Sequence, residues 1–174
     1  MGGCRSGSAL RREVDAVRKL MVVLGCGNRL VAPSGPEWDV IHHDRRAHRP
    51  EVAVVHDLDV RPWPWADSSV DAIVARAVFE HLHIGLEESM AECWRILRPG
   101  GVLTGTMPKW GTEKAHGDPT HRRSIAGSTM RYFDPETREG AAATIYGMPP
   151  WRLVSVSLVA KGTSYAFKLM PRKP

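Results

Sequence analysis

Met21-Val22-Val23-Leu24-Gly25-Cys26-Gly27 is the stretch that decides the fold. Four apolar residues in a row, stopped by two glycines, read as a short buried strand of a parallel sheet. Asp39-Val40-Ile41-His42-His43 reads as a second strand ending at Asp44, and Val52-Ala53-Val54-Val55-His56 as a third ending at Asp57. Val70 to Ala75 is a fourth. Farther out, Leu86 to Leu97 has the period of a helix, with Leu86, Met90, Cys93, Trp94 and Leu97 on one face and Glu87, Glu88 and Glu92 on the other. Arg98-Pro99-Gly100-Gly101 ends that helix and turns into a fifth strand, Val102 to Met107. Two late strands, Trp151 to Ala160 and Ser164 to Met170, flank Lys161-Gly162 and should form an antiparallel hairpin at the sheet edge. Upstream, residues 8–20 carry an apolar stripe of Leu10, Val14 and Val17 behind Ser8, the pattern of a capped helix. The expected fold is therefore α/β: a Rossmann-like, doubly wound, seven-stranded, mostly parallel sheet with an antiparallel edge hairpin and few, short helices.

The 174 residues suit one domain over 1–174, with an N-terminal helix in 1–20 and a long loop at 108–127, of a length that is usually functional or mobile. Hydrophobic content of 43% and charged content of 25% exclude disordered, collagen-like and coiled-coil chains. No apolar run approaches the ~20 residues of a membrane span. Arg5, Arg11, Arg12 and Glu13 interrupt the start where a signal region would lie, so the expected address is the cytoplasm. Met1-Gly2-Gly3-Cys4-Arg5-Ser6 fits a myristoylation pattern, but a pattern this short arises often by chance. Cys4, Cys26 and Cys93 are odd in number and widely spaced, which reads as reduced thiols rather than a zinc site. The net charge of +5 and pI of 9.4 admit an acidic partner without establishing one, since the basic residues are scattered.

Chemistry enters where the strands end. In a doubly wound sheet, Gly25, Gly27 and Asp44 meet at the carboxyl edge, where ligands bind. Glycine lets backbone approach a ligand, and an acid at the second strand's end can hold both ribose hydroxyls. A dinucleotide site would need a third glycine and a full helix to receive pyrophosphate. Leu30, Pro33 and Pro36 stand there instead, which favours an adenosine cofactor without phosphate.

These residues resemble the class I S-adenosylmethionine-dependent methyltransferases of the small methyltransferase-domain type. Leu24-Gly25-Cys26-Gly27-Asn28 resembles the family's first motif, Asp44 its second and Asp57-Leu58 its third. The run from Trp63 to Asp71, the Val78-Phe79-Glu80-His81-Leu82 segment and the Arg95-to-Gly101 segment resemble three further motifs, in family order. The ordered set covers about residues 21–108; any one motif alone reads as a turn, a cap or a helix terminator. The resemblance implies S-adenosyl-L-methionine as cofactor and S-adenosyl-L-homocysteine as product. Gly25, Cys26 and Gly27 would pass under its methionine part, Asp44 would take the ribose diol, and Asp57 the adenine amino group with Leu58 against the ring. Backbone at Ala75 and Arg76 would face the methionine end. Val23 stands where the family often has an acid, Arg29 stands at its third glycine position, and Asp59 rivals Asp57.

Acceptor-side residues follow the fifth strand: Lys109, Trp110, His116, Asp118, His121, Arg122 and Arg123. Asp118-Pro119-Thr120-His121 resembles a stretch found in small relatives where a lid faces the acceptor. His121 would be the base, Asp118 its orienting partner, and Arg122 and Arg123 a clamp for an anionic acceptor. A solvated basic loop fits the same residues equally well. His81 reads either as a buried hydrogen-bonded side chain or as an acceptor-facing one. His116, Asp118 and His121 have metal-ligand side chains, but the cofactor needs no metal and none is expected. The leading expectation is O- or N-methylation of a small acceptor. Two others stay open: methylation of nucleic acid or a modified nucleotide, and a non-catalytic cofactor-binding subunit that activates a partner. Direct DNA marks are disfavoured, because Ala75 to Phe79 lacks the stacking motif of amino-methyltransferases and no Pro-Cys pair exists.

Overall fold

A computed structural model describes residues 18–32 and 35–174. Seven strands form one sheet: β1 (Lys19–Leu24), β2 (Trp38–Asp44), β3 (Val52–Val55), β4 (Val70–Arg76), β5 (Leu97–Pro108), β6 (Trp151–Val159) and β7 (Ser164–Pro171). Their order is β3-β2-β1-β4-β5-β7-β6. Strands β1 to β5 are parallel, while β7 runs antiparallel to both β5 and β6. The expected α/β fold, strand count and antiparallel hairpin are all present, with β7 inserted between β5 and β6.

Helices are few, as the sequence predicts: α1 (Leu86–Ile96), α2 (Glu113–His116) and α3 (Arg138–Ala143), with a 3-10 stretch at Gly127–Phe133. Among the described residues no helix occupies the links between β1 and β2, β2 and β3, or β3 and β4. None of the described helices is long and apolar enough to cross a membrane. The main core lies on one face, where Val22, Leu24, Ile73, Leu103 and Leu169 meet Met90, Cys93 and Ile96 of α1 and Met130 and Phe133 of the 3-10 stretch. A small cluster of Val23, Cys26 and Val52, flanked by Val31, Val40 and Val74, forms separately.

Three expectations change. The apolar stripe assigned to a helix over 8–20 lies outside the described residues except at its end, where Lys19 and Leu20 belong to β1. Their amphipathic spacing yields to pairing with Trp38 and Asp39 of β2. Strand β5 starts at Leu97 rather than Val102, because Leu97 pairs with Val70 before an irregularity in the ladder. Glu92, placed on the polar face of α1, is buried. Its carboxylate accepts the Trp63 N–H at 2.7 Å and pairs with Arg95 at 2.8 Å.

That last contact shows what the run from Trp63 to Asp67 does. The Arg95 guanidinium donates to the carbonyls of Trp63 (3.0 Å) and Trp65 (2.9 Å) and to Asp67 (2.7 Å). Trp63 donates its indole N–H to the Leu58 carbonyl. The link before β4 is thus bolted to α1, and the Asp57-Leu58 segment is held in place at the strand end.

Candidate functional site

Strand order reverses at β1 and β4, so the crevice for a ligand opens where Leu24 pairs with Ala75. Beyond Leu24 the chain turns through Gly25 (φ +53°) and Gly27 (φ +51°), both left-handed. A Cβ on Gly25 would stand 3.0 Å from Val78 Cγ2, whereas one on Gly27 would meet nothing within 4 Å. The first glycine is thus constrained by packing, and the second leaves open space beside the backbone.

Four side chains from β2 and its exit hold this loop. Asp44 Oδ2 accepts the Gly27 N–H at 2.8 Å, and Oδ1 accepts the N–H of Arg45. His43 Nδ1 accepts the Gly25 N–H at 3.3 Å, so its Nε2–H donates to the His56 carbonyl at 3.0 Å. His42 Nε2 accepts the Val31 N–H, and His48 donates from Nε2 to the Gly27 carbonyl. His43 is 1% exposed, and burial pushes its pKa down. The neutral ring that results can accept from one residue and donate to another. Sequence reasoning treated His42 and His43 only as strand residues; their signal was two polar residues in a row at the strand end.

Asp57 Oδ2 pairs with Arg45 at 3.1 Å, and Oδ1 accepts the Asp59 N–H. Asp59 lines the same cavity as Asp57, and its Oδ1 accepts the N–H groups of His83 and Ile84. A cavity of about 230 Å³ gathers Gly25, His43, Asp44, Asp57, Leu58, Ala77 and Val78. A second, of about 370 Å³, gathers Gly25, Cys26, Gly27, Arg29, Arg76, Ala77 and Lys114. Ala75 is absent from both; it is 1% exposed within the main core. Arg76 and Ala77 line the crevice in its stead. Ala77 itself is left-handed (φ +53°), its N–H held by the Thr106 carbonyl at 2.8 Å. Such a conformation in a residue other than glycine costs energy and clusters at functional sites. Cys26 is buried, and desolvation first, then the Asp44 charge, raises its thiol pKa, which makes it packing rather than a nucleophile.

The segment after β5 closes the other side. A cavity of about 820 Å³ is lined there by Ala77, Glu80, His81 and Pro108 on one side and by Lys114, Asp118 and His121 on the other. The Arg122 N–H donates to the Glu80 carbonyl at 2.7 Å, which sets His121 opposite Glu80 and His81. The two imidazoles meet edge to face, with centroids 4.6 Å apart. His121 Nδ1–H donates to the Ala115 carbonyl at 2.9 Å. Asp118 approaches His121 Nε2 only to 3.9 Å. Its Oδ1 instead accepts the Thr120 hydroxyl at 2.6 Å and the Thr120 N–H, contacts that lower the Asp118 pKa. The orienting partner of His121 is therefore a backbone carbonyl. Asp118 reaches His81 instead, through Thr120, whose hydroxyl oxygen accepts from His81 Nδ1 at 3.0 Å.

His116 and Trp110 lie outside the cavity lining, and Arg123 donates to the Leu82 and Ile84 carbonyls rather than pointing at an acceptor. Glu80 was quoted in the sequence only as part of a motif. It is 2% exposed, neither carboxylate oxygen has a hydrogen-bond partner, and burial raises its pKa.

Comparison with known proteins agrees with the fold. Residues 38–104 match the family model described as "Methyltransferase domain". A probable S-adenosylmethionine-dependent methyltransferase of Mycolicibacterium smegmatis is 40% identical over 63 residues, which are 36% of this chain and 24% of that protein. The matched region thus spans about a quarter of the relative's length. Among solved structures, a chain of the complex between the Haloferax volcanii Trm112 methyltransferase activator and a methyltransferase superposes with a TM-score of 0.62. It is 13% identical, over 90% of this chain and 85% of that one. A SAM-dependent methyltransferase from Aquifex aeolicus gives a TM-score of 0.57 at 16% identity, covering 90% and 85%. At such identities the likeness concerns the fold.

Proposed function

We propose that this chain, a class I S-adenosylmethionine-dependent methyltransferase by family and fold, holds its cofactor along the carboxyl edge of β1, β2 and β3 and methylates a small acceptor beside Glu80 and His121. The observation that carries the reading is continuity. Ala77 lines all three cavities, so the space at Asp44 and Asp57, the space at Gly27 and the space at His121 meet at one residue. A cofactor laid along the first two would bring its reactive end to the third.

The residues present fit that group. Asp44 accepts the Gly27 N–H and, weakly, the Cys26 S–H on Oδ2 and the Arg45 N–H on Oδ1, and keeps lone-pair capacity for a ribose diol. Asp57 stands beside Leu58 and His56 in the same cavity, the place for an adenine amino group and ring. Gly25, Cys26 and Gly27 form the floor of the second cavity, where open space beside Gly27 lets a chain-like ligand lie against backbone. S-adenosylmethionine supplies an electrophilic methyl: the acceptor's lone pair bonds to its carbon as the carbon–sulfur bond breaks and S-adenosyl-L-homocysteine leaves.

Much of the rate then comes from holding the acceptor in line, and a base matters only for an acceptor of high pKa. His121 is our candidate base, its Nε2 left with a lone pair because Nδ1 donates to Ala115. Asp118 contributes negative charge 3.9 Å away rather than an orienting hydrogen bond. Lys114 lines both the second and the third cavity and would draw an anionic acceptor towards the junction. Among the described residues, the only aromatic rings lining the acceptor cavity are His81 and His121, which pack edge to face on each other, and we read this as favouring a small molecule over a flipped base.

Calorimetric titration with S-adenosylmethionine, S-adenosylhomocysteine and NAD tests the cofactor half. The first two should bind and NAD should not. Asp44→Asn keeps an acceptor for the Gly27 N–H but loses the charge, and should weaken binding about tenfold, one lost hydrogen bond to a charged group. Equal affinity in wild type and variant would remove Asp44 from the ribose. On the acceptor half, His121→Asn should lower turnover and spare cofactor affinity, and unchanged turnover would remove the base.

A further inference from the structure

The wall of the acceptor cavity contains a cluster that methyl transfer does not require. Glu80, His81 and His121 each offer a ligand atom within 4.8 Å of the other two. We propose that these three residues form a binding site for a divalent transition-metal ion, with its open coordination positions facing the acceptor cavity.

Two independent features point to it. Glu80 is 2% exposed and both its oxygens lack any hydrogen-bond partner. Protonation would not repair this, because a neutral carboxyl group adds a donor that also needs a partner. A cation satisfies the group as it stands.

The histidines are set up as ligands. The Thr120 hydroxyl donates to Asp118, so its oxygen accepts from His81 Nδ1–H, and the Ala115 carbonyl can only accept, so His121 Nδ1 carries its proton as well. Both rings are therefore held with the Nε2 lone pair unused. A ring fixed through one nitrogen by a carbonyl or a carboxylate relay is the arrangement found around metal-bound histidines. Asp118–Thr120–His81 is such a relay with one hydroxyl interposed.

The ligand set also chooses the ion. Two imidazoles and one carboxylate suit Zn²⁺, Fe²⁺, Co²⁺ or Mn²⁺ and disfavour Mg²⁺ and Ca²⁺, which prefer oxygen. Three protein ligands beside a cavity of about 820 Å³ leave room for exchangeable positions, as in reactive rather than structural sites. An acceptor hydroxyl or carboxylate bound there would be fixed in place, and a hydroxyl would ionise at lower pH. The sequence pointed to His116, Asp118 and His121 as the one metal set and away from it; the fold assembles a different set, two of whose members adjoin in a motif. The other cluster of ligand types, Cys26, Asp44 and His48, carries no such argument. Asp44 and His48 already bind the Gly27 backbone there.

The proposal rests on the cluster alone and not on methyl transfer. Chelator-stripped protein would be titrated with Co²⁺ and followed by visible absorption, with thermal denaturation in Zn²⁺ as a second readout. One equivalent of Co²⁺ per chain should give saturable d–d bands, and Zn²⁺ should raise Tm. Glu80→Gln and His121→Asn should each weaken cobalt binding at least tenfold and abolish the zinc shift, with unchanged circular dichroism and S-adenosylmethionine affinity. Absence of a saturable band, or a band that survives both substitutions, overturns the site. So does a near-ultraviolet thiolate-to-cobalt band, which would put the ion on a cysteine instead. Cobalt binding without cofactor binding would sink the proposed function and leave the metal site standing.

Discussion

Two neighbouring residues with the same backbone conformation have opposite expectations on substitution. Gly25 (φ +53°) has Val78 Cγ2 3.0 Å from where a Cβ would stand, so Gly25→Ala adds a contact to a left-handed penalty of about 1–2 kcal/mol. Thermal denaturation should show that loss, with weaker cofactor binding beside it. Ala77 (φ +53°) already bears the penalty, so Ala77→Gly should be neutral or stabilising by up to about 1 kcal/mol. A Gly25→Ala variant as stable as wild type would show that the loop rearranges freely. At His43 the prediction concerns pH. Its folded pKa lies below the usual histidine value of about 6.5, chiefly through burial, so the unfolded chain takes up its proton first. The contribution of His43 to stability is full above about pH 6.5 and falls as pH drops towards the folded pKa. Protonation would set a donor at Nδ1 against the Gly25 N–H. Wild-type Tm should therefore decline through this window, and His43→Gln should flatten part of the decline. An unchanged slope in the variant would assign the effect to another group.

At the scale of elements, the segment from Trp63 to Asp67 depends on one side chain of α1. Glu92 is 8% exposed, and without Arg95 it would keep only the Trp63 N–H. Arg95→Met should cost more than the ~1 kcal/mol of an exposed pair and up to ~3 kcal/mol, the low end for a broken buried pair. Urea denaturation would measure it, and Glu92→Leu added to Arg95→Met should recover part of the loss. Additive losses in the double variant would mean that the two residues act independently. The same elements show what the sequence made legible. Every strand was visible, because buried parallel strands announce themselves as short apolar runs between turns. The placement of Asp44 and Asp57 at the strand ends, in the lining of one cavity, was visible because strand ends and sheet edge coincide in this topology. Glu92 was misread because helical periodicity records which face a residue occupies and not the partner that arrives from Trp63, twenty-nine residues away. Asp118 and His121 were paired for nearness in sequence, yet their nearer partners are Thr120 and the Ala115 carbonyl. Glu80 was quoted only within a motif, because a buried acid without a partner has no sequence signature of its own. Long-range satisfaction of polar groups is what the pattern lacks.

Across the whole molecule, burial is uneven in a way that bears on binding. Strands β4 and β5 alternate buried and half-buried positions along most of their length, whereas β3 has four residues, only Val52 of them buried, with Val55 53% exposed. In β2 only His43 is buried, and the described links on either side of it contain no helix. Among the described residues, the half of the sheet that carries Asp44 and Asp57 thus has fewer buried positions than the half that carries the hairpin. Local opening should be cheapest there. A ligand bridging Gly27, Asp44 and Asp57 would couple this half to β1 and β4. Hydrogen exchange followed by mass spectrometry tests the idea directly. Amides of β2, β3 and the 25–32 loop should exchange fastest among the sheet segments of the free chain. With S-adenosylmethionine at about 100 times its Kd, opening of any segment that must release the ligand becomes about 100-fold rarer, equivalent to about 2.7 kcal/mol. Slowing should therefore concentrate at 25–32 and 42–58 and leave β6 and β7 nearly unchanged. Protection confined to residues 108–127 would move the ligand to the acceptor side and end the assignment of Asp44 and Asp57. Uniform protection would mean that the sheet opens as one unit, despite its uneven packing.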